Sequence, residues 1–379
     1  MKSGNSMVMT WLAAAGALAL LLAATALWAQ ETKEKLTVDD VERNFMVRLP
    51  KGYDRQQHYP VVILLHGMNQ DPEDMERLTR FNELADKDGV ITVYPLALHG
   101  RWNVGVRPEE KRPMTMGPGG RGRRGGGGYP GGGGGYPGGG GGGGYPGGGG
   151  GYPGGGGQQP QGRQPSEEKR AAPADDVAFF NQMLDQLGTK FSVDSSRIYA
   201  AGLSEGGFMS MRLGCALGDR IAAIAAVGAA MPKTMICLPP RPVPLVMING
   251  TSDPVVPYGG GTEHNLSLPT VSVEDSAKAW GKIDRCEEKP EKSKLEAREK
   301  GGMETKVDTY NGCQQNAQVI LYSVKGAGNT WPGGEQYEVE KTIGKTSQDL
   351  NANEVIWSFL VTRKLPGEGG DKNASGDKK

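Results

Sequence analysis

The chain has 379 residues, with 43 basic and 43 acidic side chains and a net charge of zero. That balance excludes a global electrostatic field that would draw in nucleic acid or an anionic membrane, and the length predicts one large domain or two modest ones. Glycine is in excess, at 61 residues, of which 30 lie between Gly117 and Gly162. The rest of the chain has ordinary globular composition, which excludes a fibrous or wholly disordered protein.

The first 29 residues predict a secretory signal peptide. A single lysine, Lys2, precedes an apolar run over Val8–Ala29 that ends in small residues suited to cleavage. The alternative is an uncleaved N-terminal anchor, because about 20 apolar residues can span a bilayer. We favour cleavage, which predicts a secreted or periplasmic protein whose mature chain has no membrane span.

Beyond this segment, short apolar runs alternate with helical patterns. The runs are apolar throughout, as expected for strands buried on both faces of a sheet. They are Val61–Leu65, Val90–Tyr94, Ile198–Ala201, Ala222–Val227, Leu245–Asn249 and Val319–Tyr322. Helical spacing follows Asp175 and Asp176, which are capping candidates, and recurs around Val355 and Phe359. This alternation predicts an α/β fold with a mainly parallel sheet.

A low-complexity insertion over residues 107–173 interrupts that pattern. It repeats glycine runs followed by Tyr-Pro, and such a segment buries too little apolar surface to offset its ordering entropy. We therefore expect one domain over residues 30–366 with a flexible insertion, and a disordered polar tail over 367–379. Basic residues flank the glycines, but RNA binding is disfavoured for an exported chain of zero net charge.

The four cysteines are candidates for disulfides because the chain carries an export signal. Three connectivities are open, and we favour Cys215–Cys237 with Cys286–Cys313, which close local loops. Four buried free thiols are the alternative. No Cys-x-x-Cys motif or Cys/His cluster is present, so we expect no metal site.

The strongest chemical signal is Gly202-Leu-Ser204-Glu-Gly206. A predicted strand runs into it and a helical pattern follows, which is the context of a nucleophile elbow. The turn is tight enough that only glycine fits two residues either side of the serine. We therefore predict that Ser204 is a catalytic nucleophile.

Two further strand ends carry candidate site residues. The strand Val61–Leu65 ends in His66-Gly67-Met68, where the N–H groups of Met68 and Glu205 would form an oxyanion hole. His66 itself is interpreted as structural, because it belongs to the strand end.

Asp253 follows the strand Leu245–Asn249, where a serine triad would place its acid. An Asx turn before the next proline is the other interpretation of Asp253, and both can hold together.

These motifs together resemble the secreted polyhydroxybutyrate depolymerase and feruloyl esterase-like family of α/β-hydrolases. The likeness extends to Asp175-Asp176-Val177, to the paired cysteines and to Gly326-Ala-Gly-Asn329-Thr-Trp331-Pro-Gly333. The resemblance implies an α/β-hydrolase fold, no cofactor, and hydrolysis of an ester, polymeric in some members. It also implies a catalytic histidine before Thr-Trp-Pro-Gly, and that position here is Asn329.

Asparagine cannot take a proton from serine near neutral pH, so the sequence leaves two functions open. One is an exported carboxylic-ester hydrolase of the polyester or feruloyl-ester type, with weak or lost activity. The other is a catalytically silent relative that binds a polymer or a surface.

Another histidine could replace the missing base. Of the four histidines, His58 is expected at the opposite edge of the sheet, whereas His99 and His264 follow strands on the same edge as Ser204. Solvated loop histidines remain the favoured interpretation of His99 and His264.

Overall fold

A computed structural model describes residues 30–105, 175–263, 268–298 and 300–366. The predicted signal peptide over 1–29, the insertion over 107–173 and the tail over 367–379 lie outside these residues, as does His264.

One ten-stranded sheet organises the described chain. Its strands are β1 (Gln30–Val38), β2 (Val41–Leu49), β3 (Tyr59–Leu65), β4 (Ile91–Pro95), β5 (Val193–Leu203), β6 (Ala223–Val227), β7 (Leu245–Gly250), β10 (Glu291–Leu295), β11 (Thr305–Tyr310) and β12 (Val319–Val324), in the spatial order β1-β2-β4-β3-β5-β6-β7-β12-β11-β10. The six central strands, from β4 to β12, pair in parallel. The outer strands pair antiparallel. A separate hairpin joins β8 (Gly261–Glu263) to β9 (Leu268–Thr270).

Helices cover both faces of this sheet. They are α1 (Pro72–Thr79), α2 (Phe81–Asp88), α3 (Asp176–Lys190), α4 (Glu205–Ala216), α5 (Val273–Ile283), α6 (Glu340–Ile343) and α7 (Ala352–Leu360). Two short 3₁₀ turns cover Leu98–Gly100 and Gln314–Asn316. One hydrophobic core lies under α3, α4 and α5, and the other lies under α1, α2 and α7.

The architecture is that of an α/β-hydrolase, as the sequence predicts. Each of the six apolar runs is a strand of the parallel centre, because a strand covered by helices on both faces needs apolar side chains on both. The structure adds the antiparallel outer strands β1, β2, β10 and β11. The side chains of β1 and β10 are mostly exposed or half-buried, and polar residues interrupt β2 and β11, so none of the four gave a long apolar run.

Both favoured disulfides are present. Cys215, at the end of α4, is bonded to Cys237, and Cys286, just after α5, is bonded to Cys313. No helix among the described residues is long and apolar enough to cross a bilayer.

A buried ion pair ties the two sides of the insertion together. Arg43 on β2 donates to Asp176 Oδ1 over 2.6 Å, and both side chains are buried. The other carboxylate oxygen of Asp176 accepts the backbone N–H of Asn103 at 2.6 Å. The carboxylate of Asp176 thus binds Asn103, so it joins the chain shortly before residue 106 to the chain just after residue 174.

Candidate active site

Ser204 stands at the junction of β5 and α4 in a strained backbone conformation. Its φ and ψ are 55° and −118°, outside the regions that non-glycine residues normally occupy. Its N–H donates to the carbonyl of Val227 at 2.8 Å, and its own carbonyl accepts the N–H groups of Gly207 and Phe208. These bonds hold the serine at the carboxyl edge of the parallel strands, at the N-terminus of α4.

Glycine is required on both sides of this turn. A Cβ on Gly202 would lie 2.2 Å from the carbonyl oxygen of Gly206, and a Cβ on Gly206 would lie 2.1 Å from that of Leu65. The local geometry is therefore that of a nucleophile elbow, for the steric reason the motif suggests.

The end of β3 supplies the opposite wall. His66 is fully buried, its Nε2 accepts the N–H of Ala97 at 3.1 Å, and its Nδ1 lies 2.7 Å from the carbonyl of Gly67. Burial lowers the pKa of His66, which favours a neutral ring that donates from Nδ1. The ring has a structural role, because both nitrogens are bonded to the backbone.

Backbone N–H groups border the cavity next to Ser204. The N–H of Met68 makes no hydrogen bond to the described part of the chain, and Met68 lines the same cavity as Ser204. Glu205 is the first residue of α4, and the N–H groups of a first helical turn point out along the helix axis. These are the two donors that the sequence suggests for an oxyanion hole.

Asp253 forms the Asx turn considered for it and also bonds to Asn329, the position of the expected histidine. Its Oδ1 accepts the N–H groups of Val255 and Val256 at 2.7 and 2.8 Å, which is the Asx-turn arrangement. Its Oδ2 accepts Nδ2 of Asn329 at 2.7 Å. The side chain is only 8 % exposed, so this carboxylate lies in a dry, hydrogen-bonded environment.

Asn329 is held where the family pattern has a histidine. Its Nδ2 donates to Asp253 and to the carbonyl of Gly228, the latter at 3.0 Å, which uses both amide hydrogens. Its backbone N–H donates to Ile343, and its carbonyl accepts the hydroxyl of Tyr337 at 2.9 Å. The residue is 1 % exposed, and its Oδ1 has no hydrogen-bond partner among the described residues.

A cavity of about 390 Å³ brings the candidate residues together. Ser204 and Asn329 line it with Gly67, Met68, Asn69, Gln70, Asp74, Arg77, Val255, Tyr337, Glu338, Thr342 and Ile343. Of the histidines in the described ranges, none lines this cavity, since His66 is buried and His58 and His99 are exposed elsewhere. The described residues also contain no group of three potential ligands arranged to hold a metal ion.

Two contacts of the site had no local sequence signal. Arg101 Nε donates to the buried carboxylate of Glu205 over 2.9 Å, which links the segment before the insertion to the residue after Ser204. Tyr337 fixes the main chain of Asn329, and burial raises the pKa of its hydroxyl, so that it acts as a neutral donor. Both contacts join residues far apart in the chain.

Proteins named as esterases are similar in sequence to this chain. The family model "Esterase" matches residues 37–105. The chain is 24% identical over 312 residues to "Putative esterase NocK" of Nocardia uniformis subsp. tsuyamanensis, covering 80% of this chain and 74% of that protein. It is 31% identical over 169 residues to feruloyl esterase B of Piromyces equi, covering 43% of this chain and only 30% of that protein.

The solved structures to which the chain is similar are more distant in sequence. The acetyl xylan esterase from Aspergillus awamori superposes with a TM-score of 0.47 at 11% identity, covering 87% of this chain and 99% of that one. A ferulic acid esterase from Anaeromyces mucronatus has a TM-score of 0.43 at 15% identity, with coverage of 89% and 90%. The sequence comparisons thus relate the chain to esterases, and its own sheet and helices have the architecture of an α/β-hydrolase.

Proposed function

We propose that the protein is a carboxylic-ester hydrolase in which Ser204 is the nucleophile and turnover is slow. The observation that carries the proposal is the strained backbone of Ser204, which opens onto a 390 Å³ cavity at the N-terminus of α4. Strain at a single non-glycine residue is retained where it has a use. An elbow that exposes a serine hydroxyl beside backbone N–H donors suits acyl transfer.

In this proposal the N–H groups of Glu205 and Met68 bind the oxyanion that forms when Ser204 attacks an ester carbonyl. The positive end of the α4 dipole stabilises the same negative charge. Both effects need only backbone geometry, so they operate without a histidine. They supply the residual acceleration of about 10³- to 10⁴-fold that persists in serine hydrolases lacking a triad member.

The Asp253–Asn329 pair explains the slow turnover. Asn329 donates to the acid as a triad histidine would, but its amide cannot accept a proton from Ser204. We expect turnover about 10⁴- to 10⁶-fold below that of a complete triad.

The substrate class we propose is an acyl ester carried on a polymer. The cavity is lined by the polar side chains of Asn69, Gln70 and Glu338 and also by the apolar side chains of Met68 and Ile343. This mixture suits an acyl group attached to a hydroxylated chain. Relatives named as feruloyl and acetylxylan esterases support an ester of a plant polysaccharide, and a polyester is the other polymer that the motifs suggest.

Location outside the cytoplasm belongs to the same proposal. The predicted signal peptide and the two disulfides agree with export, because disulfides persist in oxidising compartments.

A second candidate function is polymer binding without turnover, and Asn329 is the observation that favours it. The two are separated by measuring release of acetate from acetylated xylan, of ferulate from methyl ferulate, and of p-nitrophenol from p-nitrophenyl acetate. We expect slow release by the wild type and none above background by Ser204→Ala. Equal rates for both proteins, together with retention on insoluble xylan, would instead support the binding function.

A further inference from the structure

The asparagine in the site has different consequences for the two halves of an acyl-transfer reaction. In the first half, a bond forms between Ser204 Oγ and the acyl carbon, the leaving group departs with the electron pair of its bond, and the serine proton passes to solvent water. In the second half, the oxygen of a water molecule bonds to the acyl carbon, the bond to Oγ breaks, and one proton of that water passes through solvent to the serine oxygen. A triad histidine takes the proton in each attack and returns it to each leaving group.

The side chains that line the cavity in the described part of the chain offer no substitute for that proton carrier. Its titratable members within the described residues are Asp74, Arg77, Tyr337 and Glu338. Asp74 and Arg77 bond to each other at 2.9 Å, and desolvation raises the pKa of the half-buried Tyr337 hydroxyl. Glu338 is exposed to solvent rather than packed against the serine. Asn329 itself is fixed by both of its amide hydrogens.

The nature of the leaving group then decides which half is slower. An aryl ester or a thioester expels a stable anion that needs no proton, so the first half loses only the help of a base. The acyl-serine that results is an ordinary alkyl ester, whose oxygen must be protonated to leave. The second half therefore loses both the base and the acid. Deacylation is slowed more than acylation whenever the acyl donor is activated.

We propose that Ser204 is a long-lived acyl acceptor for activated acyl donors, aryl esters and thioesters, and that the protein accumulates as the acyl-enzyme. This inference rests on the proposed function, since it uses the same nucleophile and oxyanion donors. It adds that the slow step is water attack on acyl-Ser204. Both oxygens of Asp253 already accept hydrogen bonds and Asn329 has no basic site, so neither takes a proton from a water molecule.

The test is intact-protein mass spectrometry during incubation with p-nitrophenyl acetate, with released p-nitrophenol measured in parallel. We expect a burst of one equivalent of p-nitrophenol, a mass increase of one acetyl group located on Ser204 by peptide mapping, and an adduct that outlasts removal of the ester. Ser204→Ala should show neither burst nor adduct at this peptide. Ser358→Ala, which alters an exposed helix serine outside the site, is the matched control and should behave as the wild type.

The lifetime of the adduct in Asn329→His distinguishes a loss of proton transfer from a merely structural effect. The substitution should shorten the adduct lifetime by about 10³-fold or more, because it restores a group that carries protons in both halves. Steady release of p-nitrophenol that depends on Ser204 but gives no adduct would show that acylation is the slow step. That result would overturn this inference and leave the proposed function intact. Absence of both release and adduct would overturn the proposed function as well. A longer-lived adduct in His264→Ala or Glu338→Gln than in the wild type would identify a base in the wild type and overturn the inference.

Discussion

The amide nitrogen of Asn329 donates to Asp253 Oδ2 over 2.7 Å, the bond that a triad histidine makes with its acid. Asp253 is thereby satisfied as fully as in an active triad, since two backbone N–H groups occupy its other oxygen. The Asn329 amide donates a hydrogen bond as the N–H of a triad histidine would, but it lacks the basic ring nitrogen of that histidine.

Restoring the base should restore turnover. We expect Asn329→His to raise kcat for p-nitrophenyl acetate by about 10³-fold or more. The rate should follow a rising pH limb near the ordinary histidine pKa of about 6.5, since only the neutral imidazole accepts a proton. The wild type should lack that limb. The measurement is kcat against pH from 5 to 8 for both proteins.

The double variant Ser204→Ala/Asn329→His is the control for that gain. It should remain inactive, because the new imidazole would have no serine to activate. A pH-dependent gain that survives loss of Ser204 would show that the histidine acts directly on the ester, and would contradict the assigned role of the serine.

The sequence predicted the parts of this site that depend on neighbours along the chain. The glycines around Ser204 and the acidic position Asp253 lie beside buried strands, and strand and turn chemistry are local. The contacts Arg101–Glu205 and Tyr337–Asn329 could not be predicted, because no periodicity links residues brought together by the fold. The edge strand Glu291–Leu295 was missed because all five of its side chains are exposed, which leaves no hydrophobic signal.

Two glycine-to-alanine substitutions should have opposite effects on stability. Gly206→Ala would place its Cβ 2.1 Å from the carbonyl oxygen of Leu65, so we expect a loss of at least about 3 kcal/mol. Gly188→Ala, on the exposed face of α3, meets nothing within 4 Å and should gain about 0.5–1 kcal/mol from helix propensity. Urea unfolding gives both values. A neutral Gly206→Ala would show that the elbow can relax.

The ion pair Arg43–Asp176 should be sensitive to removal of one partner. Arg43→Met leaves a buried carboxylate without its cation, and we expect a loss of about 3–5 kcal/mol. Burial already raises the pKa of Asp176, against the effect of Arg43. The double variant Arg43→Met/Asp176→Asn should recover most of the stability, because the amide oxygen still accepts the N–H of Asn103. A double variant no better than the single one would place the loss in packing against Phe179.

Asp284 should make the stability of the protein fall as pH rises towards neutrality. It is fully buried at the end of α5, its Oδ1 accepts the N–H of Val243 at 2.9 Å, and its Oδ2 has no partner among the described residues. Burial raises the pKa of Asp284 to about 7 from an ordinary value of 3.8, against the opposing influence of Arg241. The folded protein therefore holds a proton that the unfolded chain has already released.

The sign of the pH effect follows from that difference. Below about pH 4 both states are protonated, and the contribution of Asp284 is fully present. Between about pH 4 and 7 the unfolded chain ionises first, so the free energy of unfolding declines, by about 1.4 kcal/mol per unit of pKa difference. Asp284→Asn keeps the acceptor for Val243 and cannot ionise, so it should remove this decline and be more stable than the wild type at pH 8. Urea titrations from pH 4 to 8 measure it, with the exposed Asp88→Asn as the matched control. Parallel pH curves for wild type and Asp284→Asn would show that Asp284 ionises alike in both states.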